Sequence, residues 1–183
     1  MRNILVTALL FSGTILTAQT EVTPILAQGL VTKAVKEATA TKRKALIAFH
    51  ASWCSWCKRL EAVLDRPEVK SVIDRYFVVQ WLTVNEKGEK KILENPGSDK
   101  LLAEWTNGVS SGIPFYVLLD SSEKLITSSI QSVKPSEKPE NIGFPGKEEE
   151  RKAFIAFLKT GAPNMSASDE MAIIGGFEAV MVK

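Results

Sequence analysis

The sequence predicts an α/β fold: a mixed central β-sheet with helices on both faces, plus a C-terminal helical extension. Three observations carry that prediction. Helical and extended patterns alternate in the order helix, strand, helix, strand, helix, strand, strand, helix, helix. The strand-like runs are short and apolar, and the last two flank a polar turn, as in an antiparallel hairpin. The only two cysteines, Cys54 and Cys57, stand three apart in Trp53-Cys54-Ser55-Trp56-Cys57-Lys58, between the apolar run Ala45-Leu46-Ile47-Ala48-Phe49 and a helical pattern.

Each element has its own signal. Thr23-Pro24 reads as an N-cap followed by proline at the first helical position. Leu26, Leu30, Ala34 and Ala38 then recur every fourth residue, giving an amphipathic helix over 24–39. Residues 45–50 form a buried strand, and 54–64 a helix with Leu60, Val63 and Leu64 on one face. Pro67 restarts that helix, and Val69, Val72 and Ile73 resume its pattern. Residues 77–84 are apolar enough for a central parallel strand. The lysine-rich segment 85–96 reads as a surface loop or short insertion, and Ser98 as the cap of a helix carrying Leu101, Leu102 and Trp105. Residues 115–119 and 125–130 form the hairpin around the turn 120–124. A proline- and glycine-bearing loop over 132–146 precedes a helix over 147–159 with Phe154, Ile155, Phe157 and Leu158. Ser166 and Asp169 have capping-box spacing and open a last helix over 166–180, which Gly175-Gly176 should weaken.

The 183 residues suffice for one domain with a real core. The balance of 23 basic and 21 acidic residues, with no basic block, argues against a nucleic-acid partner. Arg2, the apolar run from Ile4 to Leu16 and the small residue Ala18 have the pattern of a secretory signal peptide. The run is about 13 residues, short of the roughly 20 a spanning helix needs. The expected organisation is a signal peptide over 1–18, a domain over 19–162 and the helical extension over 163–183. Export places the mature chain, a monomer, in the periplasm or outside the cell, where disulfides persist.

A Cys-x-x-Cys pair at a strand-to-helix junction suits thiol–disulfide exchange. With Cys54 at the helix N-terminus, free backbone N–H groups and the helix dipole favour its thiolate, and Lys58 adds a positive charge one turn on. Moving the thiol to neutrality raises the thiolate population about fifteenfold, but lower basicity leaves attack only about threefold faster. The larger gain is that Cys54 becomes a good leaving group when Cys57 resolves a mixed disulfide. Two other readings stand beside this one. A purely stabilising bridge closing so small a ring is worth about 2 kcal/mol. A metal site would have two cysteines and a single histidine to draw on. Glu61 lies one helical turn after Cys57 and is the candidate acceptor of its proton. His50, four residues before Cys54, is a candidate to tune the thiolate. Trp53 and Trp56 flank the sulfurs and are candidate contact residues.

With Phe49-His50-Ala51-Ser52-Trp53-Cys54 and Cys57-Lys58, then Asn95-Pro96-Gly97 and Gly112-Ile113-Pro114, the sequence resembles the thioredoxin superfamily over roughly residues 25–160. Cys57-Lys58-Arg59-Leu60-Glu61 and Asp65-Arg66-Pro67-Glu68-Val69 are most similar to the C-terminal domain of membrane thiol:disulfide interchange proteins and their soluble exported relatives. The resemblance implies a thioredoxin fold with a redox-active Cys54–Cys57 disulfide and no cofactor or metal. It implies that Pro114 is the cis-proline facing the pair, leaving the Ile113 backbone free to pair with a substrate strand. It also implies that Trp53 covers the active-site rim. Protein thiols and disulfides would be the substrates, reduction or isomerisation the direction, and a membrane thiol reductant the donor. A binding or assembly module of the same fold, with an idle pair, is the alternative. Two positions depart from the family pattern. Ala48 replaces a buried acid six residues before the first cysteine, and Ala62 replaces a proline five residues after the second.

Overall fold

A computed structural model of the chain describes residues 25–109, 111–133 and 138–181. The expected signal segment, 1–18, and the expected cap at Thr23-Pro24 lie outside the described residues. Helix α1 (Ala27–Ala40) buries Ala27, Val31, Ala34, Val35 and Ala38, the stripe read from the sequence. It begins later than expected, with Leu26 as N-cap, and the Ala27 N–H donates to Pro96 O at 3.0 Å.

Strand β1 (Lys44–His50) pairs parallel with β2 (Phe77–Thr83), from Lys44↔Phe77 to His50↔Thr83. It pairs antiparallel with β3 (Phe115–Leu119), from Ala45↔Leu119 to Phe49↔Phe115. With β4 (Leu125–Ser128), the sheet order is β2-β1-β3-β4. β2 is therefore an edge strand, not the central one its composition predicted. Helices covering both faces, not a second neighbouring strand, explain its apolar residues. Val78 and Leu82 pack with α1, while Phe77 joins the opposite core.

Side-chain alternation divides the core into two layers. Ala45, Ile47, Phe49, Phe115, Val117 and Leu119 pack with α1 and α4 (Ser98–Thr106). Leu46, Ala48, Tyr116 and Leu118 face α2 (Ser55–Leu64), α3 (Pro67–Tyr76), α5 (Glu148–Gly161) and α6 (Ala167–Met181). This mixed sheet, covered on both sides, is the thioredoxin fold.

Three local readings change. Ser98 is the first residue of α4 and not its cap, because its hydroxyl donates to Thr83 O at 2.8 Å; Gly97, at φ +88°, takes the cap position. The 85–96 segment contains a 3₁₀ turn at Gly88–Leu93 and a buried Glu86, so it is more than a surface loop. The strand expected over 125–130 ends at Ser128. The fully buried Ser129 turns the chain, and β5 (Ile130–Gln131) pairs with β6 (Glu140–Asn141) inside the expected loop.

At the C-terminal end, Ser166 and Asp169 form the expected reciprocal cap: the Asp169 N–H donates to Ser166 Oγ and the Ser166 N–H to Asp169 Oδ2. Asp169 also accepts from Tyr76 Oη at 2.8 Å and Arg75 Nη1 at 2.9 Å, pinning α6 to α3. Ile173 and Phe177 are fully buried in the same core as α2 and α3. Among the described residues no helix is long and apolar enough to cross a membrane.

Candidate active site

Cys54 and Cys57 are joined by a disulfide, with their Cα atoms 5.3 Å apart. Cys54 is the N-cap of α2, its backbone extended at φ −80° and ψ 102°, and its Sγ accepts from the Cys57 N–H at 3.1 Å. Sulfur thus fills the role that a serine or aspartate oxygen usually plays at a helix start, satisfying an amide that has no intrahelical partner. When the pair is reduced, this N–H and the helix dipole favour negative charge on Cys54. Ile113 O lies 3.5 Å from the same sulfur. It can accept from a Cys54 thiol and repels the thiolate, so the backbone on the two sides of Cys54 acts in opposite directions. Cys57 is fully buried. Ala51 and the partly buried Ile113 complete the apolar cluster around the sulfurs.

The Ile113–Pro114 peptide bond is cis, and these residues enter β3 beside the disulfide. Asn141 holds this corner. Its Nδ2 donates to Gly112 O at 2.9 Å and to Pro114 O at 3.0 Å, one on either side of that peptide. Its Oδ1 accepts from Ser129 Oγ at 2.7 Å and from the Gly143 N–H at 3.2 Å. The proline corner and the 142–146 loop therefore hang on one fully engaged side chain.

A second set of contacts fixes the loop from β1 to α2. Glu86, almost fully buried, accepts from the Ser52 N–H at 2.5 Å and Ser52 Oγ at 2.8 Å. Trp53 Nε1 donates to Asn85 O at 2.7 Å, and Lys87 Nζ sits 4.7 Å from the centre of the Trp53 ring. Trp53 and Trp56 are each about half exposed, at 47% and 48%. Trp56 stacks on Phe144 with ring centroids 5.4 Å apart, and the Arg59 guanidinium lies over the Trp56 ring, 4.7 Å from its centroid. Lys58 is exposed on α2.

Glu61 and His50 meet across the end of the sheet. His50 Nδ1 lies 2.5 Å from Glu61 Oε1, and His50 Nε2 lies 3.1 Å from Thr83 Oγ1. Both side chains are partly exposed. Ala48, where the family pattern has an acid, is fully buried among apolar side chains. Among the described residues no group of three or more potential metal ligands converges.

The structure thus brings Cys54, Cys57, Trp56 and Pro114 around one spot, with Trp53 on the adjoining loop and Glu61 held by His50. Sequence reasoning missed Glu86, Asn141 and Phe144. Glu86 stands in a run of charged residues that reads as solvated, and Asn141 lies in a loop-like segment. Their only local signals are an acid just after an apolar strand and an Asn-x-Gly turn.

A family model described as thioredoxin-like matches residues 27–121. Similar solved structures include a disulphide isomerase from Xylella fastidiosa Temecula1, with 18% identity, 91% of this chain and 98% of that one covered, and a TM-score of 0.49. The C-terminal domain of DsbD from Neisseria meningitidis, in the oxidised form, gives 22%, 56%, 82% and 0.38 in the same order. A thioredoxin from Thermus thermophilus gives 19%, 72%, 86% and 0.42. No curated protein sequence gives a significant match.

Proposed function

This chain belongs to the thioredoxin-like family, and we propose that it is an exported thiol–disulfide oxidoreductase that reduces or isomerises disulfides in other proteins. The observation that carries the reading is the sulfur pair capping α2, with the Cys57 N–H on Cys54 Sγ and the Ile113–Pro114 corner alongside. The Cys54 thiolate attacks one sulfur of a client disulfide. The client's sulfur–sulfur bond breaks, one client sulfur leaves as a thiolate and takes a proton from solvent, and the other is bonded to Cys54. Cys57 then loses its proton and attacks Cys54 Sγ. This releases the second client sulfur and leaves the Cys54–Cys57 disulfide, with two electrons passed to the client. Cys57 is already within bonding reach, so the second step has the advantage of an intramolecular reaction.

Glu61, with His50, is the proposed acceptor of the Cys57 proton, since the family's buried acid is replaced by Ala48. Lys58 supports the thiolate, Trp53 and Trp56 contact the client, and the Ile113 backbone offers it an edge to pair with. A dithiol donor outside the cytoplasm, presented by a membrane thiol carrier, would restore the reduced pair. Export rests on Arg2, the apolar run to Leu16 and Ala18. N-terminal sequencing of the secreted or periplasmic protein should find a start near residue 19.

The test is insulin reduction by dithiothreitol, with the wild type and Cys54→Ser. A rate advantage confined to the wild type is expected, and equal rates would dismiss catalysis. Equilibration with glutathione gives the direction. A potential of about −270 mV fits a reductase, whereas one of about −120 mV would make the protein an oxidant and refute the proposed direction.

A further inference from the structure

Four large apolar side chains crowd one corner of the fold, at the end of β2 that pairs with His50. Ile92 and Leu93, in the 3₁₀ turn Gly88–Leu93, are 72% and 54% exposed, and Ile25 and Leu26, at the start of α1, are 63% and 62% exposed. Only ten large apolar side chains are exposed among the described residues, so four in one corner are a patch and not scatter. The two halves come from distant parts of the chain and are tied side by side. Asn95 Nδ2 donates to Ile25 O at 3.3 Å, and the Ala27 N–H to Pro96 O at 3.0 Å. The turn buries none of its own side chains, so Ile92 and Leu93 serve no core.

The surroundings match a lipid interface. Lys87, Lys90 and Lys91 are exposed beside the apolar pair, and lysine stems lie along apolar surface while their ammonium groups stay among polar ones. Glu94 accepts from the Glu86 N–H at 2.7 Å and offsets Lys91 at 3.6 Å. Glu89 offsets one of the other two lysines, which leaves a surplus of one positive charge. Trp53 adjoins the turn, half exposed, with Lys87 Nζ over its ring and its Nε1–H bonded to Asn85 O, as befits an aromatic side chain at a bilayer surface. A bilayer accepts protruding side chains without shape matching, whereas a folded partner must supply packed complementarity. The chain outside the described residues points the same way. Residues 17–24, with a reach of at most about 28 Å, connect Ile25 to the apolar run from Ile4 to Leu16. The corner that carries the patch is thus the one that stays nearest the membrane during export.

We propose that this corner is a lipid-docking surface: Ile92, Leu93, Ile25 and Leu26 enter the headgroup layer of a bilayer that contains anionic lipid, and the lysines rest on its phosphates. Docking needs no sulfur chemistry and stands apart from the redox reading. Where both hold, the Trp53 side of the disulfide lies against the membrane, and thiols or disulfides held at that surface are the ones it meets.

Flotation with lipid vesicles tests the proposal, on the exported form that starts near residue 19 and keeps every described residue, with the disulfide intact. Vesicles of phosphatidylcholine alone should bind it. Vesicles with about one-third phosphatidylglycerol should bind it about fivefold more tightly, the worth of one surplus charge, and the gain should shrink as salt rises. Ile92→Ser/Leu93→Ser takes two side chains from the turn and should weaken binding about tenfold or more. Ile25→Ser/Leu26→Ser should do the same, and it gives α1 a serine at its N-cap, which favours the helix. Met171→Ser removes an equally exposed side chain from α6 and should bind as the parent does. Hydrogen exchange should show the amides of Gly88–Leu93 gaining protection on vesicles and those of α6 unchanged. Absence of binding to both vesicles would overturn the proposal, as would binding that survives both double substitutions or falls equally with Met171→Ser. Lipid-free self-association abolished by Ile92→Ser/Leu93→Ser would also overturn it, since a second copy would then be the occupant. Insulin reduction reads the other level. A protein that floats with vesicles but reduces nothing loses the redox reading and keeps the docking surface.

Discussion

The two adjacent glycines of α6 should respond to the same substitution with opposite signs. A Cβ on Gly176 would lie 2.4 Å from Val69 Cγ2, with Val63 Cγ1 at 3.5 Å and Arg66 Cδ at 3.6 Å. Carbon atoms rest about 3.5–4.0 Å apart, so α6 or Val69 must move by more than about 1 Å. Val69 is fully buried in α3, and a valine in a helix has essentially one side-chain rotamer. Overpacking of this kind costs about 1–3 kcal/mol, against about 1 kcal/mol gained by replacing a helical glycine with alanine. Gly176→Ala should therefore destabilise by up to about 2 kcal/mol. Gly175 is exposed and a Cβ there meets nothing within 4 Å, so Gly175→Ala should stabilise by about 0.5–1 kcal/mol. Thermal unfolding with the disulfide intact reads both: a stability gap of about 0.5–3 kcal/mol, at about 2–4 °C per kcal/mol, separates the two melting temperatures by roughly 1–12 °C. If Gly176→Ala proves as stable as Gly175→Ala, α6 does not seat on α3 as described.

Three further substitutions probe the site and its frame. Asn141→Asp turns a carboxylate oxygen toward Gly112 O and Pro114 O in place of two N–H donors; it should cost about 1–3 kcal/mol in unfolding experiments and raise KM for a protein client. An unchanged stability and KM would mean that the proline corner holds itself. Glu86→Ala strips Ser52 of the partner for both its N–H and its hydroxyl, which should also cost about 1–3 kcal/mol and shift the Cys54–Cys57 potential, measured against glutathione. Identical potentials would confine Glu86 to a purely structural role. Hydrogen bonding from Tyr76, and then from Ser166, with Arg75 nearby, holds the Asp169 carboxyl below the usual carboxylate range, although burial pushes the other way. Its folded value lies below the unfolded one, so its contribution is present at neutral pH and fades as pH falls from about 4 toward the folded value. The stability gap between wild type and Asp169→Asn should therefore narrow between pH 7 and pH 3, and an equal gap at both would refute the assignment.

What the sequence disclosed follows from how far each signal reaches. Spacing within an element is local, so α2 with Cys54 at its head, the hairpin of β3 and β4, and the Ser166–Asp169 cap were all legible. The strand order was less so. An edge strand covered by α1 and α3 is as apolar as a central one, and β2 was misplaced for that reason. Gly175-Gly176 looked like one weakness, yet only tertiary packing separates an idle glycine from one that admits Val69. Asn141 and Glu86 serve segments that are distant along the chain, 27 residues from Pro114 and 34 from Ser52. No short-range pattern marks a polar side chain whose partners are backbone groups elsewhere.

The two sulfurs sit in different electrostatic settings, and the difference bears on the proposed chemistry. Cys54 is served by backbone, a fixed N–H and a helix start, which costs no reorganisation as charge develops. Cys57 is fully buried with Ala51 and Ile113, which disfavours its thiolate until a base is within reach. A buried acid under the pair would supply that base from inside the core, but Ala48 brings no carboxylate there. One turn after Cys57 on α2 stands the Glu61 carboxylate, already oriented by His50, which Thr83 orients in turn. Because both members of that pair touch solvent, a proton taken from Cys57 would have a direct way out. The proton path proposed here therefore runs along the helix surface to bulk water, in place of storage beneath the sheet.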